Sequence, residues 1–179
     1  MRGFLLALDQ GTTGSRALIY DRNGNLVSSA YQEFPQYYPK PGWVEHDPEE
    51  IWRSVLHVIQ KSLLAARLKF PDIQVIGITN QRETVVVWDK KTGKPFHRAI
   101  VWQDRRTSAY CGVLKKRGLE KKIRAKTGLL LDPYFSATKI HWLLENIAGI
   151  KAKALKGGVL LGTMDTWLLW KLTNGRVHA

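Results

Sequence analysis

The amino-acid sequence predicts an α/β domain built on a mixed sheet flanked by helices, and three observations predict it. Short apolar runs closed by turn residues open the chain, they are spaced as an antiparallel meander, and beyond Asp47 helical patterns alternate with further apolar runs. With 44% hydrophobic and 24% charged residues among 179, the chain has enough apolar side chain for one packed domain.

Phe4 to Leu8 is an apolar run ended by Asp9; the Gly11-Thr12-Thr13-Gly14 segment turns the chain, and Ala17 to Tyr20 resumes the hydrophobic pattern. That is strand, tight loop, strand. Asp21 to Asn25 predicts a hairpin, because Asn23-Gly24 accepts the positive φ of a type I′ turn. A third strand is expected from about Leu26 to Phe34, with Val27 and Tyr31 facing inward. The prolines and rings of Gln36 to Trp43 predict a loop. Asp47 is placed as an N-cap, Pro48 at the first helical position, and Glu50 to close a capping box. Ile51, Val55, Ile59 and Leu63, four apart, turn one face of that helix to the core.

Val75 to Ile78 reads as a buried strand, and Val85 to Trp88 and Ala99 to Trp102 as a second pair joined through Asp89 to Gly93. Helices are expected near Thr107 to Arg117, from Ala137 to Ile147 with Ser136 as cap, and from Met164 to Leu172 after the strand Val159 to Leu161. The last residues, Thr173 to Ala179, read as a turn launching a further strand, so the domain is expected to be incomplete.

Composition excludes several classes. No apolar run approaches the ~20 residues of a membrane helix, and Asp9 interrupts the first run before it reaches signal-peptide length, so a cytoplasmic protein with no membrane partner is expected. Cys111 is the single cysteine, which leaves no disulfide framework, and the five histidines have no metal-ligand spacing. The net charge of +13 collects at Lys115 to Lys126 and Lys151 to Lys156. Without a zinc finger, RNP motif, KH loop or basic zipper, that charge predicts solvated helix faces and no nucleic-acid partner.

Three constellations could carry chemistry. Between two strands, Gly11 lets the backbone approach an anion, Thr12 and Thr13 add hydroxyls, Arg16 a guanidinium, and Asp9 a carboxylate able to hold Mg²⁺; a plain hairpin turn is the competing reading. In Thr79 to Thr84, Arg82 and Glu83 at the mouth of apolar strands need partners, either each other or a ligand rich in hydroxyls. Adjacent strand residues point to opposite faces, so a direct pair would require an irregular backbone. Trp102 and Tyr134, at junctions between apolar runs and helices, could wall a small polyol or pack in the core.

Taken together, Asp9-Gln10-Gly11-Thr12-Thr13, the stretch Pro39 to Pro48, Ile78 to Thr84 with its Asn80-Gln81-Arg82-Glu83-Thr84, Ala99 to Gln103, Asp132 to Ser136, and Gly162 to Trp167 resemble, in order and spacing, the glycerol kinase branch of the FGGY carbohydrate kinase family. The resemblance implies an actin-like, ribonuclease H-like fold and a two-domain enzyme with ATP in the cleft. By the same resemblance, Arg82, Glu83 and Tyr134 would hydrogen-bond glycerol and Trp102 would pack on it. Thr12, Thr13, Gly14 and Arg16 would hold the nucleotide phosphates, and Asp9 would help place Mg²⁺. Gly14 stands where the family commonly has serine, which removes one hydroxyl from that turn.

The resemblance places the catalytic general base and an ATPase-type C-terminal domain downstream of Ala179, so residues 1–179 are expected to be a truncated N-terminal domain with no catalytic residue of its own. Glycerol, ATP and the missing domain are the expected partners, and a homo-oligomer is compatible with the sequence. A non-catalytic polyol-binding fragment and a kinase for another small polyol are the competing functions.

Overall fold

The computed structural model describes residues 3–179. Strands β1 (Phe4–Gln10), β2 (Gly14–Tyr20) and β3 (Leu26–Glu33) form the expected meander, and β5 (Ile73–Asn80) joins β1 in parallel, giving the order β3-β2-β1-β5. Two antiparallel pairings and one parallel pairing make the sheet mixed, as the sequence predicts. Helix α1 (Pro48–Ala65) covers one face, where Ile51, Val55, Val58 and Ile59 pack on Leu6, Leu8, Ala17 and Ile19.

That packing decides which side of β3 is inward, and it overturns one expectation. Val27 and Tyr31 are each 42% exposed, while Ala30 is buried opposite Ala17. Alternation fixes that β3 has two faces; which of them is covered depends on α1. For the same reason β5 is not buried throughout: Val75 is 53% exposed on the open face. The turn after β2 also differs from type I′. Only Gly24 has a positive φ, of 80°, because the Asp21 carboxylate accepts the N–H groups of Asn23 and Asn25 and holds the first turn residues in ordinary conformation.

Asp47 caps α1 as expected, accepting from the N–H groups of Glu49 and Glu50 at 2.8 and 3.3 Å. The capping box does not close, since the Glu50 carboxylate takes the Tyr37 hydroxyl instead. A second sheet has the order β4-β7-β6-β8, from β4 (Glu45–His46), β6 (Val85–Asp89), β7 (Ala99–Ile100) and β8 (Val159–Thr163). β6 meets β7 only at Val85 and Ile100; its long partner is β8. All five β6 residues are buried. Val86 and Trp88 pack with Met164, Trp167 and Leu168 of α6 (Met164–Leu172), and Val85 and Val87 with Leu143 of α4 (Ser136–Asn146) and Ile150 of α5 (Ile150–Leu155). Between these elements lie α2 (Ser108–Lys116) and α3 (Leu119–Thr127); α3 and α5 carry most of the two basic clusters expected on solvated helix faces, although the sequence does not predict their bounds.

Ser136 is the first residue of α4 rather than its cap. Among the described residues, no helix is long and apolar enough to cross a membrane.

Candidate active site

Pairing of β1 with β5 sets Gln10 beside Asn80, so the Gly11 to Gly14 turn and the Gln81 to Thr84 segment leave the same end of the sheet side by side. The Gln81 N–H donates to the Gln10 carbonyl at 2.7 Å, extending the pairing one step into the site. Carboxyl ends of parallel strands are where open α/β sheets place ligands. Here a cavity of about 370 Å³ opens, lined by Gly11, Thr12, Gln81, Arg82, Trp102 and Tyr134. A wider hollow of about 800 Å³ lies between Lys90–Lys94 and the end of α6, away from these strand ends.

Trp102 and Tyr134 meet edge to face, with ring centroids 5.9 Å apart, and form the apolar wall. The Trp102 indole N–H is turned across the cavity to Thr12 Oγ1 at 2.9 Å. Arg82 is exposed, and among the described residues its guanidinium has no ion-pair partner. The direct Arg82–Glu83 pair is therefore absent, yet the irregular backbone is real: Glu83 sits at φ 65°, a left-handed conformation that costs a non-glycine residue about 1 kcal/mol or more.

That conformation carries the Glu83 side chain to the start of α4. Its Oε2 accepts from the Ser136 N–H at 2.7 Å and the Ser136 hydroxyl at 2.6 Å, so a carboxylate from another segment caps this helix. Glu83 lies beside the cavity with one carboxylate oxygen thus engaged. Lys139, one turn into α4 and fully buried, donates to the backbone carbonyls of Glu83 and Tyr134, tying the two sides of the site together. Burial pulls its pKa down to about 8, with Glu83 opposing the shift.

Beneath the cavity runs a buried network that the sequence does not announce. The Gln81 amide donates to Gln10 Oε1, the Gly11 carbonyl and His46 Nδ1 at 3.1 to 3.3 Å, and its own oxygen accepts from the Thr84 hydroxyl. With His46 Nδ1 accepting, its Nε2 carries the proton and donates to Gln36 Oε1 at 2.5 Å. Gln36 Nε2 then reaches the Thr12 carbonyl at 3.0 Å. Burial pulls the His46 pKa down to about 4, so the ring is neutral near pH 7 and this tautomer is self-consistent.

Beside the cavity, Asp9 and Arg16 of the strands that flank the Gly11 to Gly14 turn lie on the open face of the sheet. Asp9 pairs across the sheet with Arg16 and Thr79, and Arg16 with Tyr31, so these four side chains share one row. The N–H groups of Thr12 and Thr13 have no hydrogen-bond partner among the described residues, whereas that of Gly11 is taken by the Gly14 carbonyl at 2.9 Å. Adjacent free N–H groups, two hydroxyls and a guanidinium are the donor set an anionic phosphate chain requires. Asp9 is the one carboxylate in the row, and no group of three metal-ligating side chains exists among the described residues. Mg²⁺ bound through one carboxylate and phosphate oxygens fits such a set.

The Asp104 and Arg106 of the Trp102 to Thr107 stretch are structural. Arg106 Nη2 binds Glu45 at 2.7 Å and Asp104 at 2.9 Å, and the guanidinium packs over the Trp43 and Trp142 rings, 3.8 and 4.6 Å from their centroids, in the corner these two edge-to-face indoles make. Asp104 also accepts the Val44 N–H, fixing the loop that leads from Trp102.

An actin-like, ribonuclease H-like domain with a polar cavity at the ends of β1 and β5 is the class that this fold and site define. Residues 4–179 match the N-terminal domain of the FGGY family of carbohydrate kinases, and the chain belongs to that family. It is 60% identical over 178 residues to a glycerol kinase of Petrotoga mobilis, covering 99% of this chain and 36% of that one. Glycerol kinase 2 of Thermotoga maritima is 58% identical over 175 residues, 98% of this chain and 35% of the relative. The chain thus spans about a third of the length of the curated relatives it matches. A crystal structure of Plasmodium falciparum glycerol kinase with ADP superposes with a TM-score of 0.90 at 37% identity, covering 97% of this chain and 35% of that one. The fold alone is shared with a gluconate kinase of Lactobacillus acidophilus, at TM-score 0.81 and 22% identity over 96% of this chain and 33% of that one.

Proposed function

We propose that this chain is the N-terminal, substrate-holding domain of an ATP-dependent glycerol kinase that works with a second, ATPase-type domain in the cytoplasm. The observation that carries the reading is the convergence of Arg82, Trp102 and Tyr134 on one cavity beside the Thr12-Thr13 turn. A cavity of about 370 Å³ suits a three-carbon polyol with water, and the match to glycerol kinases at about 60% identity supports that substrate over larger sugars.

In this reading the Trp102 and Tyr134 rings cover the C–H face of glycerol while the Arg82 guanidinium, the Tyr134 phenol and the free oxygen of Glu83 take its hydroxyls. Thr12, Thr13, Arg16 and the backbone at Gly14 hold the nucleotide phosphates, and Asp9 would hold Mg²⁺, which when bound neutralises phosphate charge. The terminal hydroxyl oxygen of glycerol attacks the γ-phosphorus, the bond to the β–γ bridging oxygen breaks, and glycerol 3-phosphate and ADP result. The one carboxylate beside the cavity, Glu83, is in this reading a helix cap and a hydroxyl acceptor, so the hydroxyl proton goes to a base supplied from outside this chain. What these residues contribute is positioning and charge complementarity.

The test is an assay of the complete gene product with ATP, Mg²⁺ and either glycerol, erythritol or dihydroxyacetone. Turnover highest with glycerol is expected; preference for another polyol moves the assignment to that substrate, and no turnover with any leaves a polyol-binding protein without kinase activity.

A further inference from the structure

Glycine at position 14 and tyrosine at position 31 are sterically matched. A Cβ on residue 14 would lie 2.5 Å from Tyr31 Oη and 2.6 Å from Cζ, so the phenol occupies the space a side chain at that position would fill. The turn loses a side chain there and receives a hydroxyl from the neighbouring strand. Tyr31 Oη is 3.4 Å from Thr13 Oγ1, close enough for both hydroxyls to reach one acceptor, and neither has a shorter hydrogen bond among the described residues. The Arg16 guanidinium, cross-strand partner of Tyr31, lies over the ring at 5.5 Å from its centroid. Tyr31 is 42% exposed, so its O–H is open to a ligand at the turn.

We propose that Tyr31 is a nucleotide-binding residue whose phenolic O–H donates to a phosphate oxygen at the Gly11 to Gly14 turn. The proposal rests on the assignment of that turn as the phosphate grip. It explains why a glycine next to two threonines does not leave the turn short of a donor. It also gives the outward face of β3 a role that the burial pattern alone does not.

Calorimetry of a non-hydrolysable ATP analogue and, separately, of glycerol on the complete gene product tests it. Tyr31→Phe keeps the ring and its contact with Arg16 and deletes only the hydroxyl. The expected result is about threefold to tenfold weaker analogue binding, the worth of one hydrogen bond, with glycerol affinity and thermal midpoint unchanged. Analogue affinity equal to wild type, or equal loss for both ligands, overturns the proposal. So does a wild-type protein that binds no nucleotide. Wild-type protein that binds the analogue more tightly than Tyr31→Phe but never phosphorylates glycerol supports Tyr31 while sinking the glycerol assignment.

Discussion

The Trp102 indole N–H donates to Thr12 Oγ1 at 2.9 Å, across 90 residues of sequence, and joins the wall of the proposed polyol cavity to the proposed phosphate turn. One hydrogen bond thereby makes the orientation of each side depend on the other. Trp102→Phe keeps an aromatic wall and removes the donor. Steady-state kinetics of the complete gene product are expected to show kcat/KM for both substrates falling by about twofold to tenfold, the range of a net hydrogen bond of 0.5–1.5 kcal/mol. An effect on glycerol alone would mean the contact does not couple the two sides.

Glu83 serves the fold, because its carboxylate caps α4 through Ser136. Glu83→Gln retains an acceptor oxygen but loses the charge at the helix N-terminus, and about 1 kcal/mol of stability should go with it. Denaturant unfolding of Glu83→Gln beside Ser136→Ala checks this; additive losses would show that the two residues do not act together.

His46 gives stability a pH dependence whose sign follows from its neutral, buried ring. Its pKa is about 4 when folded against about 6.5 when unfolded, so between those values the unfolded chain binds the extra proton. Stability from this group is full above about pH 7, falls as pH drops through 6.5, and levels off below 4, by up to about 3 kcal/mol. Urea midpoints of wild type and His46→Gln at pH 7.5 and 4.5 should therefore converge toward low pH; parallel shifts would refute the assignment.

Arg106 anchors the loop behind Trp102 through two buried carboxylates and two indole faces. Arg106→Leu strands Glu45 and Asp104 without their cation and is expected to cost about 3–5 kcal/mol. Arg106→Lys recovers only part of it, because an ammonium offers neither the fork nor the stacking plane. Thermal unfolding of both variants decides it.

Much of the fold was legible because its strands are apolar runs with clear turns between them, and α1 because Asp47 and Pro48 mark its start. What escaped is what depends on neighbours. α3 buries no residue, so it has no apolar stripe to read. Tyr31 and Val27 alternate correctly with Ala30, but only the presence of α1 says which set is inward. At the site, Arg82, Trp102 and Tyr134 converge as their motifs suggest, and Glu83 turns aside to α4 through a left-handed backbone that the Arg82–Glu83 adjacency hinted at. His46, Gln36 and Lys139 were invisible as site residues because their roles come from burial and hydrogen-bond direction, neither of which is local in sequence.

The central claim is that the cavity between Arg82, Trp102 and Tyr134 holds glycerol. Calorimetric titration of glycerol into the complete gene product and its Arg82→Leu variant tests this most directly. Saturable binding to wild type, weakened about tenfold or more when the charged donor is removed, is the predicted result; equal glycerol affinity in the two proteins would contradict it.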